Sequence, residues 1–225
     1  MRRTSSPQSN RNCSLSAMQY YHDIITEKSF VFLTKLLKQF DFTLIGGWAV
    51  FAYTRALKSK DIDLIVGYAE LGKMREEYAV AKNDRLKKYE IATGEFDVDI
   101  YLPHYSALGI PAETVIENAV LREGFRVPPL EMLFLLKLYA WREREGTPKG
   151  EKDKIDIFSM AFLPEFDWKK YREFVHALCL GSLHERFVPL LKHTAAVSEL
   201  GVNPNAMAKY KKHVISSLGK IARLK

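Results

Sequence analysis

Four groups of residues carry the chemistry available to this sequence. Asp61-Ile62-Asp63 puts two carboxylates at alternate positions of a short apolar run. Strand side chains alternate faces, so both acids project to one side while Ile62 turns into the core. Glu95-Phe-Asp-Val-Asp-Ile-Tyr-Leu repeats the device with Asp97 and Asp99. Acids are poor strand formers, and two on one face of an otherwise apolar strand need a reason. Carboxylates held this close repel each other unless a cation lies between them. Gly46-Gly47 opens a small-residue stretch that reads as a helix. The free N–H groups and positive dipole end of such a helix suit a phosphate. Arg55 and Lys58 stand between the glycines and the first acid pair. A phosphate seat beside a claw of hard oxygen donors points to chemistry on a nucleoside triphosphate.

Taken singly, each signal has another reading. An Asp-x-Asp can be a solvated strand end or a cap, and a Gly-Gly can be a turn that needs positive φ. Either Asp97 or Asp99 can complete a three-carboxylate site; Asp99 is preferred because it leads into Ile100-Tyr101-Leu102. The last group lies further on. Lys137 sits inside Leu135-Leu136-Lys137-Leu138, where an ammonium must be paired or reach for water. Asp153 and Asp156 lie one turn apart on a helix start, where Asp153 also suits the helix dipole.

The elements that must position these groups follow from periodicity. A helix is expected over 19–40, with a break near Glu27 to Ser29 where Ser29 would cap a second helix. A strand at Phe42 to Ile45, the Gly-Gly helix and a strand at Ile62 to Val66 come next. Leu71 to Lys82 reads as a charged helix, and Arg85 to Thr93 and Glu95 to Leu102 as strands about Gly94. A short helix from Pro111 and one strand over Val120 to Val127 precede Pro128-Pro129. Helices are expected at Leu130 to Glu145, from Glu151, and then at Trp168 to Leu180, Leu183 to Lys192 and Asn205 to Leu224.

The chain has 225 residues, 47% of them hydrophobic, enough for an α/β half and a helical companion. No run of eighteen apolar residues exists, so no membrane span is expected. Residues 1–17 are rich in Ser, Asn and Arg and read as a disordered tail rather than a signal peptide. Met18 is an alternative translation start to Met1. Cys13 and Cys179 have no metal-ligand spacing, which points to a reducing cytoplasm. A net charge of +7 permits polyanionic partners. Lys209, Lys211, Lys212, Lys220, Arg223 and Lys225 in the last helix are either a solvated face or a grip on a phosphodiester backbone. The six histidines are scattered and flank no nucleophile elbow, which argues against a serine or cysteine hydrolase.

In combination these motifs resemble the DNA polymerase beta-type nucleotidyltransferase superfamily. Its pattern is a Gly-Gly or Gly-Ser turn, a helix, an Asp-x-Asp at a strand start and a later acid on a neighbouring strand, found here as Gly46-Gly47, Asp61-Ile-Asp63 and Asp99 or Asp97. The helical half is similar to the abortive-infection type nucleotidyltransferase toxins, through Arg55, Lys137-Leu-Tyr-Ala140 with Arg142, and Lys152-Asp153-Lys-Ile-Asp156. The resemblance implies an α/β (α+β) nucleotidyltransferase fold, a mixed sheet flanked by helices and followed by a helical bundle. Residues 18–127 would form the catalytic domain, and 128–225 a helical domain completing the nucleotide cleft. The implied reaction moves a nucleoside monophosphate from an NTP, ATP among them, to an acceptor hydroxyl and releases pyrophosphate. The implied cofactor is a pair of Mg²⁺ ions, with Mn²⁺ as an alternative, on Asp61, Asp63 and Asp99. Gly46, Gly47, Arg55, Lys58 and Lys137 would serve the phosphates, with Lys137 pointing into the cleft, and Asp153 would be needed for activity. The acceptor stays open among tRNA or other RNA, a small molecule and a protein hydroxyl. Two other readings stand beside this one: a nucleotidyltransferase-fold binding protein without turnover, and a basic RNA-interaction module.

Overall fold

The computed structural model describes residues 11 to 218, with side chains from Asp23 onward. The acids sit on a mixed five-stranded sheet made of β1 (Thr43–Ile45), β2 (Ile62–Ile65), β3 (Val80–Asn83), β4 (Lys88–Ala92) and β5 (Asp97–Tyr101). Its strand order is β1-β2-β5-β4-β3. β2 and β5 run parallel, and every other neighbouring pair is antiparallel. A parallel pair needs a long crossover, supplied here by α3 (Tyr68–Glu77) and the β3–β4 hairpin. Of the first two helices, α2 (Gly46–Thr54) packs on β1 and β2, and α1 (Arg11–Gln39) reaches Phe96, just before β5, through Phe32.

Several boundaries differ from the sequence reading. α1 is unbroken through Glu27 to Ser29. Ser29 is buried inside it and accepts a hydrogen bond from the Trp48 indole N–H at 3.0 Å, so the polar residue is a latch onto α2 and not a cap. The helix also begins at Arg11, inside the stretch read as a tail; residues 1–10 and the choice of start codon lie outside the described residues. α3 ends at Glu77, and the charged segment read as its continuation is the edge strand β3. Val80 there pairs with Ile91. The stretch 120–127 is a hairpin, β6 (Val120–Arg122) and β7 (Phe125–Val127). Its turn residues Glu123 and Gly124 both have positive φ, 51° and 84°, as a two-residue hairpin turn of the primed type requires.

After Pro128-Pro129 the chain is helical: α4 (Ala112–Glu117) lies before the hairpin, and α5 (Leu130–Arg144), α6 (Pro148–Ala161), α7 (Trp168–Ala177), α8 (Gly181–His193) and α9 (Pro204–Leu218) follow it. One 3₁₀ turn at Ser198–Leu200 precedes α9. α5 is buried on every side from Leu130 to Leu138, the mark of a central helix. Around it Phe134 meets Phe166, Tyr171 and Phe187 edge-on at 5.0 to 5.5 Å, a favoured aromatic geometry. α2 packs on both α5 and α6, and the Tyr53 hydroxyl donates to the Pro128 carbonyl at 2.9 Å. The α/β half and the helical half therefore meet along α2. The last basic residues of the sequence, Lys220, Arg223 and Lys225, lie outside the described residues.

Candidate active site

The β2–β5 register decides which acids meet. Asp63 and Asp99 are Cα partners across the parallel pair, so their side chains leave the same face side by side. Asp61 stands at the entrance of β2 and accepts the Asp97 backbone N–H at 3.4 Å. Asp97 itself is exposed at the start of β5. Asp99 thus lies beside Asp63, and Asp97 faces outward beyond it.

α2 roofs this pair. Gly46 has φ +66°, and a Cβ on it would fall 2.0 Å from Asp63 Oδ2. Glycine is required there twice, for the left-handed backbone and for the approach of the carboxylate. Ile45 offers α2 no side-chain cap, so the first N–H groups of the helix open onto the acids.

The electrostatics are those of crowded carboxylates. Loss of hydration pushes the Asp63 carboxyl up; Lys137 pulls it back and Asp61 pushes it further up. Asp99 is pushed up to about 6, first by burial and then by the charge of Asp63, with Lys88 opposing. Lys88 answers that charge directly: its Nζ lies 2.6 Å from Asp99 Oδ2 and 2.9 Å from Glu90 Oε1. The Tyr101 hydroxyl reaches Asp63 Oδ1 at 3.5 Å, the limit of a hydrogen bond.

Three acids on one sheet face are an all-oxygen donor set, which suits Mg²⁺ better than a soft metal. The fit is open rather than caged: among the described residues no three acidic, His or Cys side chains already converge as a metal-binding group. An ammonium, that of Lys88, occupies the place beside Asp99 where a cation is wanted.

In the helical half Lys137 is 8% exposed, and its charge acts on Asp63 as well as on α6. Its Nζ lies 3.2 Å from Asp153 Oδ1 and 2.7 Å from Asp156 Oδ2. Burial depresses its pKa, but the two aspartates outweigh that and hold it above the usual lysine value. Asp153 also pairs with Arg144 at 2.7 Å through Oδ2. The distances are those of ion pairs, although Oδ2 of each aspartate lacks hydrogen-bond geometry. Lys137 and Asp153 are thus joined to each other, tying α5 to α6. The tie is close because Gly150, at the start of α6, packs where a Cβ would fall 2.2 Å from the Arg144 carbonyl oxygen. Thr147 caps that helix by accepting the Gly150 N–H at 3.1 Å.

Arg55 is not brought to the acids. α2 has nine residues, about 14 Å of rise, and Arg55 caps the end remote from Gly46. It pairs with Glu123 at 2.8 Å and lies over the Phe51 ring. Lys58 is exposed in the loop before β2, with no ion pair among the described residues. Lys152 lies within the Lys152-Asp153-Lys-Ile-Asp156 motif, and the sequence alone gives it no role of its own. It is half-buried on α6, its Nζ lies 3.8 Å from where a Gly47 Cβ would stand, and it has no ion pair among the described residues. Burial lowers its pKa, with Asp156, Asp63 and Asp61 opposing. The signal for it was its place immediately before Asp153.

No protein-family model matches the sequence, and no curated protein matches it. The fold, by contrast, has solved counterparts. The crystal structure of a candidate nucleotidyltransferase from H. pylori aligns with a TM-score of 0.52 at 17% identity, over 90% of this chain and 97% of its own. ANT(2″)-Ia in complex with adenylyl-2″-tobramycin aligns more loosely, with a TM-score of 0.48 at 16% identity, over 73% and 99%. The Megavirus polyadenylate synthase gives 0.43 at 12%, over 87% and 48%. The two looser likenesses carry no inference about this chain. The first spans nearly the whole of both chains, and with the mixed sheet and C-terminal helices it shows that this chain has the nucleotidyltransferase fold.

Proposed function

We propose that the chain transfers a nucleoside monophosphate from an NTP to an acceptor hydroxyl and releases pyrophosphate. The observation that carries this reading is the parallel register that sets Asp63 beside Asp99 beneath the open N-terminus of α2. Asp61, Asp63 and Asp99 would hold Mg²⁺, or Mn²⁺ in its place. When bound, the ion supplies charge neutralisation on the phosphates and lowers the pKa of the attacking hydroxyl. The α2 N–H groups at Gly46 and Gly47 receive phosphate oxygens, and Lys152 faces the charge that builds on the leaving group. Asp99, beside Asp63 on the neighbouring strand, would accept the hydroxyl proton. The acceptor oxygen bonds to the α-phosphorus, the bond from that phosphorus to the bridging oxygen breaks, and pyrophosphate leaves. Lys137, Asp153, Asp156 and Arg144 act one step back, fixing α6 so that Lys152 faces the acids.

The test is transfer of label from each α-³²P NTP in Mg²⁺, offered tRNA, a protein mixture or hydroxylated small molecules as acceptors. Label should move with stoichiometric pyrophosphate release from wild type and not from Asp63→Asn. Equal transfer by the two proteins would overturn the proposal.

A further inference from the structure

We infer that Lys88 is the resident cation of the acid cluster: its ammonium holds Asp99 until a divalent ion is bound, and Glu90 keeps the ammonium when Asp99 releases it. Lys88 is thus a positioning residue that sets how tightly the site takes its metal. This deepens the proposed function and rests on its reading of Asp99 as a metal ligand.

The antiparallel pairing of β4 with β5 brings the parts together. Glu90 is the Cα partner of Asp99, so Lys88, Glu90 and Asp99 leave the same face of the sheet. Lys88 Nζ lies between the two acids, 2.6 Å from Asp99 Oδ2 and 2.9 Å from Glu90 Oε1. The Lys88 side chain is 12% exposed, Asp99 17% and Glu90 31%, so Glu90 is the outer partner and Asp99 the inner one. Glu90 is itself held, its Oε1 accepting the Asn83 side-chain amide of β3 at 3.0 Å. No other hydrogen-bond donor reaches Asp99 among the described residues.

This arrangement stabilises the acids without metal and opposes their filling. Asp99 stands beside Asp63, and two neighbouring carboxylates need a cation between or beside them. Lys88 supplies one from within the chain. A divalent ion and an ammonium on one carboxylate group repel at close range, so the ion competes with Lys88 for Asp99. A plain cross-strand tie would be complete with Asp99 alone. The second acid, already within reach, lets the ammonium change partners without crossing into solvent.

The experiment is titration of Mn²⁺ without nucleotide, the free ion counted by electron paramagnetic resonance, into wild type, Lys88→Met, Glu90→Gln, the double variant and Asp63→Asn. Thermal unfolding shows which variants are folded. Lys88→Met should bind Mn²⁺ about tenfold more tightly than wild type. Glu90→Gln, which leaves the ammonium only Asp99, should bind about threefold more weakly. In the Lys88→Met background the same Glu90→Gln change should matter by less than about twofold, the mark of two residues acting through one another. If Lys88→Met does not fold, Glu90→Gln carries the test, and unchanged Mn²⁺ affinity in it would overturn the inference. Equal affinity in wild type and folded Lys88→Met, both tighter than Asp63→Asn, would overturn the inference alone. Wild type and Lys88→Met that bind Mn²⁺ no better than Asp63→Asn would overturn the metal site of the proposed function with it.

Discussion

Replacing Lys137 with methionine separates a structural tie from a phosphate ligand. Methionine keeps the reach of the side chain along the packed face of α5 and deletes the charge. In the native protein the ammonium lies 2.7 Å from Asp156 and 3.2 Å from Asp153, and the two acids are only 2% and 4% exposed. After the change Asp153 keeps Arg144 at 2.7 Å, whereas Asp156 has no other ion pair among the described residues. Stranding one buried charge in this way costs about 3–5 kcal/mol. At about 2–4 °C per kcal/mol for a chain of this size, the thermal midpoint should fall by roughly 10 °C at pH 7. Asp156→Asn in the same protein should recover most of the loss at pH 7, because it removes the stranded charge. Thermal and urea unfolding at pH 7 is the assay. A Lys137→Met protein with an unmoved midpoint at pH 7 and weakened NTP binding would refute the structural account and return Lys137 to the phosphates.

Three further outcomes follow from the site. Gly46→Ala should cost about 1–2 kcal/mol for its left-handed backbone, and more because its Cβ would drive Asp63 off β5; NTP binding should be lost in calorimetry. Asp99, raised from the ordinary carboxylate range to about 6, should destabilise the metal-free protein as pH rises through that range, by up to about 3 kcal/mol. Asp99→Asn should flatten that slope in urea unfolding and stabilise the metal-free protein at pH 7. Arg55→Ala breaks an ion pair whose side chains are 53% and 52% exposed; a change in NTP affinity beyond about twofold would show that Arg55 turns towards the acids in solution.

Much of the scaffold was legible because it is local. The apolar alternation around Asp61 and Asp63, the small residues after Gly46 and the apolar run of α5 each report their own period. What was hidden is tertiary. β3 looked helical because an edge strand with Lys82 and Asn83 has no clean alternation to show. Glu123-Gly124 was read through because a positive φ on a glutamate leaves little trace in sequence. Asp97 and Asp99 share a strand face, and only the register with β2 says which one meets Asp63. Lys137 announced itself as a lysine in an apolar run, but paired or exposed were equal answers until α6 came beside it. Lys152 followed from that outcome, since its charge stands open only because Lys137 takes Asp153 and Asp156.

The most direct test of the central claim is calorimetric titration of the four NTPs, with and without Mg²⁺, into wild type and Asp63→Asn. Mg²⁺-dependent binding of at least one NTP, abolished in a folded Asp63→Asn protein, is the predicted result. Equal binding by both proteins, indifferent to Mg²⁺, would contradict it: the acids beneath α2 would then be only a feature of the fold.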